Sequence, residues 1–224
     1  RHFIDLRRPL WGRPIVDLAF LIDDVATRRK PLDTARVIAA ESPLVVMATD
    51  VATATRAPLR QFANAEDVFA ALRAGATMPI VAGPPVPYHG RSYLDAALTE
   101  PIPVPLAEAE GFTHILALLT RPHAVRHRET ALDRFYVVPR LRRLSPALAS
   151  LYTSRSGPYA ALLDGIAAGC GPLGRAEVLG LRPSLPEVSK LERHATRLRE
   201  AARHGFDVVI AAFARTREPE NPRT

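Results

Sequence analysis

The chain has 224 residues, 47% hydrophobic and 24% charged, which excludes wholesale disorder and suffices for one sizeable core. The longest apolar runs fall short of the roughly 18–20 residues of a membrane span. The single cysteine, Cys170, excludes an internal disulfide or Cys-rich zinc site and fits a reducing, cytoplasmic compartment. Lys and Arg number 30 against 23 Asp and Glu, a net charge of +7. This excess reads either as an arginine-rich solvated surface or as attraction to an anionic surface such as phospholipid. With 6% aromatic residues and no recognised nucleic-acid module, no nucleic-acid partner is expected.

The predicted elements run as follows. Apolar residues at helical spacing (Ile15, Leu18, Ile22, Val25) predict a helix from Ile15 to Arg29, and a second short helix starts at Pro31 and carries Val37 and Ile38. Leu44 to Ala48 is apolar throughout and reads as a buried strand, with Leu59 to Phe62 as its partner after a polar turn from Thr53 to Arg56. Asn64 is an N-cap for a helix from Ala65 to Ala74, and Gly75 is placed to end it. Val86 to Tyr88 and Ser92 to Leu94 flank His89-Gly90, a hairpin signal leading to Asp95.

A short helix from Pro105 to Glu110 precedes a second buried strand, Thr113 to Thr120. Helical segments follow around Arg128 to Arg134, Ala147 to Tyr152 and Tyr159 to Ala168, and Arg175 to Leu181 reads as a third strand. Val188 to Arg203 predicts a long helix bearing Leu191, Ala195, Leu198 and Ala202 on one face. Gly205 closes it, and a further helix runs through Ile210 and Phe213. Strands alternating with helices predict an α/β sheet with helices on both faces.

Generic catalytic motifs do not fit. Gly169-Cys170-Gly171-Pro172-Leu173-Gly174 matches G-x-G-x-x-G, but it follows a helical stretch and precedes a strand, the reverse of the dinucleotide fingerprint. It reads as a glycine-rich connection, and no cofactor is expected. His123 and His127 are four apart but lack the Glu of H-E-x-x-H and sit among arginines. Ser156-Gly157 comes nearest to a nucleophile elbow, yet the leading glycine of G-x-S-x-G is absent.

One ordered set of segments carries more. Phe69 to Pro79, with Ala74-Gly75-Ala76-Thr77-Met78-Pro79 at its end, precedes Ser92-Tyr93-Leu94-Asp95-Ala96-Ala97 and Pro101-Ile102-Pro103-Val104. Ala107 to Gly111 and the strand ending at Thr120-Arg121-Pro122 come next. Arg7-Arg8-Pro9-Leu10, Pro14-Ile15-Val16-Asp17 and the late Pro186 to Arg193 segment extend the likeness over most of the chain. This pattern resembles the bacterial branch of the patatin-like phospholipase family.

The resemblance implies a three-layer α/β sheet with helices on both faces, incomplete in this chain. Residues 1–217 would form the C-terminal portion of a single patatin-like domain and 218–224 a flexible tail. It also implies a lipid acyl hydrolase using a serine–aspartate dyad, in which Asp95 is the base for a serine in G-x-S-x-G and a glycine-rich loop stabilises the oxyanion. Neither the serine elbow nor that loop occurs here; the family's layout puts both in about a hundred residues upstream, about the size of a small domain. The 224-residue chain alone is therefore expected to be inactive. The alternative is a catalytically inactive lipid-surface or protein-interaction module.

Where the family has glycines after the aspartate, Ala96 and Ala97 stand here, which implies either an ordinary backbone or some strain. Without the missing part, apolar sheet edges and helix faces are expected to lie unpaired. The expected partner is an acyl lipid substrate, with peripheral contact to an anionic membrane. The stretch from Arg121 to Arg155 holds eight arginines against Glu129 and Asp133, interleaved with Leu132, Phe135, Val137, Val138, Leu141 and Leu144. Such a stretch either lies on an anionic interface or covers the sheet with its apolar residues turned inward.

Overall fold

The computed structural model describes residues 3–5, 7–79, 81–121, 133–184, 188, 192 and 194–215. The chain is mixed α/β and divides into two compact units, Arg1–Pro103 with Arg128–Gly157 and Val104–His127 with Pro158–Thr224.

In the first unit the predicted opening helix is shorter and wider than an α-helix. Phe20–Arg29 is wound with π-type hydrogen bonds, seen at its end where Lys30 N donates to Val25 O at 2.8 Å. Phe20 and Ile22 are buried. Helix α1 (Thr34–Ile38) is capped by the Asp33 carboxylate. Strands β1 (Val46–Asp50), β2 (Thr55–Leu59), β3 (Val86–Tyr88) and β4 (Arg91–Asp95) form an antiparallel sheet in the order β2-β1-β4-β3. Its partner strand β2 starts earlier than the apolar pattern suggested. The chain turns at Val51–Ala54, where Asp50 accepts the backbone N–H groups of Ala52 and Thr53, so polar Thr55 and Arg56 are already in the ladder. The His89-Gly90 hairpin is as expected, with both residues at positive φ, the geometry that suits a two-residue turn.

Helix α2 (Ala65–Ala76) is capped by Asn64 as expected, but Gly75 lies inside it. A Cβ there would meet Val46 Cγ1 at 2.7 Å and the Met47 carbonyl oxygen at 2.8 Å. The glycine lets the last turn of the helix lie against β1; it does not end the helix. Val68, Ala71 and Ala74 of α2 join Ala48, Leu59, Val86, Tyr88 and Tyr93 in one core cluster. Because side chains alternate along a strand, the next residue of β4, Leu94, enters a different cluster. There it meets Leu98 with Leu141 of α4 (Val138–Leu144) and Leu148 of α5 (Pro146–Ser154), all buried. Burying a leucine fully contributes about 1.5–3 kcal/mol.

The second unit contains α3 (Val104–Ala109), β5 (His114–Leu118), β6 (Glu177–Leu181), α7 (Ala195–Arg215) and all of α6 (Ser156–Ala167) but its first two residues. β5 and β6 pair in parallel as a separate two-stranded sheet, joined through a long connection that includes α6, as parallel pairing requires. Its packed side holds Ala117, Val178 and Ile166; on its other side Leu116, Leu118 and Leu179 are exposed.

Helix α7 begins at Ala195, later than Val188, and runs on through Gly205. An interior glycine costs only about 1 kcal/mol relative to alanine, too little to break a 21-residue helix. Among the described residues, no helix is long and apolar enough to cross a membrane. The expected helix around 128–134 before Asp133, the His123/His127 pair, most of the Pro186 to Arg193 segment and the 218–224 tail lie outside the described residues.

Candidate functional site at the end of strand β4

Asp95 is the last residue of β4 and lies opposite Ala48 of β1. The strand hands over at once to a 3₁₀ turn, Ala96–Leu98, whose N-cap is Asp95 itself: Ala97 N donates to Asp95 Oδ1 at 2.8 Å. This side-chain cap is one that Asp adopts readily. The main chain of Asp95 is held from two further directions. Its N–H donates to Thr77 O at 3.0 Å, and its carbonyl accepts from Thr49 Oγ1 at 2.9 Å. Thr49 and Thr77 are buried, and Thr49 Oγ1 also lies 2.9 Å from Thr99 Oγ1. Of the two outcomes alanine allows there, Ala96 and Ala97 have the ordinary one, a negative-φ backbone. The result is a half-buried carboxylate with one oxygen fixed in direction by a backbone donor.

Two other buried carboxylates stand on neighbouring segments, and both have arginine partners. Asp50, at the end of β1, binds Arg91 Nη1 at 2.8 Å. Burial pushes its carboxyl up, but the Thr53 N–H, the Arg91 guanidinium, the Thr53 hydroxyl and the Ala52 N–H together hold it below the usual aspartate value. Glu100 binds Arg56 Nη1 at 2.6 Å. These pairings tie both groups into the sheet.

The glycine-rich connection is not an open anion cradle. Glu108 of α3 is buried and accepts from Leu173 N at 2.6 Å, Arg175 N at 2.5 Å and Ala176 N at 3.1 Å. A Cβ on Gly171 would lie 2.6 Å from Glu108 Oε2, so the glycine is there for the carboxylate's close approach. Burial pushes Glu108 up, yet the three N–H groups and the Arg175 charge outweigh it and hold the group below the usual glutamate value. The N–H nest that a phosphate would need is filled from within. Glu108 escaped notice in the sequence because its donors lie more than sixty residues away.

Ser156 opens α6 directly after helix α5, so it does not sit on the strand-to-helix turn of a nucleophile elbow. A serine–histidine contact that the sequence did not disclose joins Ser184 to His204 of α7. Both Ser184 Oγ and Ser184 N lie 3.0 Å from His204 Nε2. Two donors from one residue share that nitrogen's single lone pair, an arrangement that anchors the loop to the helix. Among the described residues no group of three or more His, Cys, Asp or Glu is placed to hold a metal ion.

The arginine-rich stretch resolves into two sides. Leu141 is fully buried, and Val137 and Val138 pack against its cluster. Arg134, Phe135, Tyr136, Arg140, Arg142, Arg143 and Leu144 are exposed, with the Arg140 guanidinium stacked 3.4 Å from the Tyr136 ring centroid. Asp133 is buried and bonded to the Tyr152 hydroxyl. One side thus turns its apolar residues into the core, and the other exposes arginines with aromatic residues. No family model and no curated protein matches the chain.

Proposed function

We propose that this chain carries the catalytic aspartate of a serine acyl-ester hydrolase of the patatin-like type, with Asp95 as general base and phospholipids or related acyl lipids as the substrate class. The observation that carries the reading is the fixed placement of Asp95: end of a central strand, half-buried, Oδ1 aimed by the Ala97 N–H. A base must meet a hydroxyl within hydrogen-bond reach at each turnover, and a carboxylate held by its own backbone keeps that geometry without reorganisation. The order of residues through Ser92-Tyr93-Leu94-Asp95 supplies the family resemblance. Entry of Tyr93 and Leu94 into separate cores is consistent with the family's three-layered sheet.

A second reading, a lipid-surface module without catalysis, is favoured by the exposed arginine and aromatic side of residues 134–144. Acyl-ester hydrolysis by the product of the full coding sequence separates the two. The enzyme reading expects turnover of p-nitrophenyl esters and phospholipid that a serine-directed phosphonate abolishes. Absence of turnover, or turnover indifferent to the phosphonate, would discard it.

A further inference from the structure

The segment before the π-wound helix is a hydrogen-bonded turn with an exposed tip. The chain enters through Ile4 and leaves through Val16, which bridge one another. Between them Arg8–Trp11 forms a 3₁₀ turn closed by Gly12 at φ 67, where Gly12 N donates to Pro9 O and Arg13 N to Arg8 O, both at 3.1 Å. Arg8 points inward and binds buried Asp17 at 2.8 Å, while Arg7 N is held by Asp5 Oδ1 at 2.9 Å. This bracing turns the two large apolar side chains outward: Leu10 is 81% exposed and Trp11 67%. Trp11 is the chain's single tryptophan, and tryptophan is highly buried on average.

Exposed Arg7 and Arg13 flank the pair, and residues 7–13 contain no acid. An apolar tip ringed by cations is complementary to one kind of surface, an anionic lipid interface. There an indole settles at headgroup level, a leucine enters the acyl boundary, and guanidinium groups meet phosphates. We propose that Leu10 and Trp11 insert into an anionic lipid surface, with Arg7 and Arg13 on the phosphates. The inference concerns binding alone and requires no catalysis.

With one tryptophan, the fluorescence of the 224-residue chain reports only this tip. Mixed phosphatidylglycerol–phosphatidylcholine vesicles should shift its emission to the blue, brominated acyl chains should quench it, and pure phosphatidylcholine should do neither. Leu10→Asp should weaken vesicle binding at least about tenfold. Arg7→Gln with Arg13→Gln should lower the anionic preference by roughly fivefold for each charge removed. All three residues are exposed, so thermal unfolding of the variants should match the parent.

Emission indifferent to anionic vesicles, or vesicle binding unchanged by Leu10→Asp, would overturn the inference. Blue emission that depends on protein concentration in lipid-free buffer, with no lipid response, would assign the tip to a second copy and overturn it as well. Insertion of Trp11 together with an inactive product of the full coding sequence would sink the hydrolase reading alone; a silent Trp11 together with an active product would sink only this inference.

Discussion

Glu108 is a buried carboxylate whose charge is balanced by three backbone N–H groups. Its pKa in the folded chain lies below the unfolded value, so its contribution to stability is complete above the ordinary glutamate range and is lost as pH falls through the lowered folded value. Glu108→Gln turns one acceptor into an N–H₂ donor facing donors, which leaves buried N–H groups unsatisfied. It should lower the thermal midpoint by several degrees at pH 7 and reduce the loss of stability on acidification. An unchanged midpoint would show that the loop does not depend on this carboxylate. Asp95 was legible in the sequence only through its neighbours in order, Ser92-Tyr93-Leu94 before it and Pro101-Ile102-Pro103 after. Glu108 and the Ser184–His204 contact were not, because each is made by pairing residues distant in the chain, which no local pattern records. Trp11 was passed over for another reason: exposure is decided by how Arg8 and Asp17 brace the turn, and composition carries no trace of it.

At the scale of elements, signals with a local physical cause were read correctly. Asn64 caps α2, His89-Gly90 closes the hairpin, and the apolar runs lie in β1 and β5, although β5, expected as a buried strand, buries only Ala117 fully and exposes Leu116 and Leu118. Glycine is a weak stop signal: the pattern places Gly75 and Gly205 at helix ends, yet both are interior, Gly75 for its close approach to β1 and Gly205 with open space around it. Gly75→Ala tests the contact. At an interior helical position with open space, alanine would replace glycine with a gain of up to about 1 kcal/mol. As a contact residue, its new Cβ strikes the Met47 carbonyl oxygen at 2.8 Å, and backbone cannot swing aside. The variant should lose about 1–3 kcal/mol, seen as a lower denaturant midpoint at an unchanged slope; an equal or higher midpoint would show that the approach of α2 to β1 does not depend on this glycine. The local pairings of β1 with β2 and of β3 with β4 follow from the sequence, but the distant ones do not: one sheet is expected, yet β1 pairs with β4 across α2, and β5 and β6 form a separate parallel pair.

For the whole molecule, the net charge of +7 becomes informative once its placement is known. Arg140, Arg142 and Arg143 are exposed on the outer side of α4, while Leu141 between them is buried. Changing the three to Gln together removes charge without touching the core. It should reduce binding to anionic vesicles at low salt, with little effect on neutral ones, and salt should weaken the parent's preference in the same direction. Co-sedimentation equal for parent and variant would leave these arginines as solvated surface. The central claim, that Asp95 is a general base, is tested most directly by Asp95→Asn in the product of the full coding sequence. Asn keeps an acceptor oxygen for Ala97 N–H, so the 3₁₀ turn and the thermal midpoint should be retained, but it cannot take up the serine proton. The account predicts a fall in kcat on the order of 10²–10⁴ with folding intact; a folded variant whose kcat stays within about tenfold of the parent would contradict it.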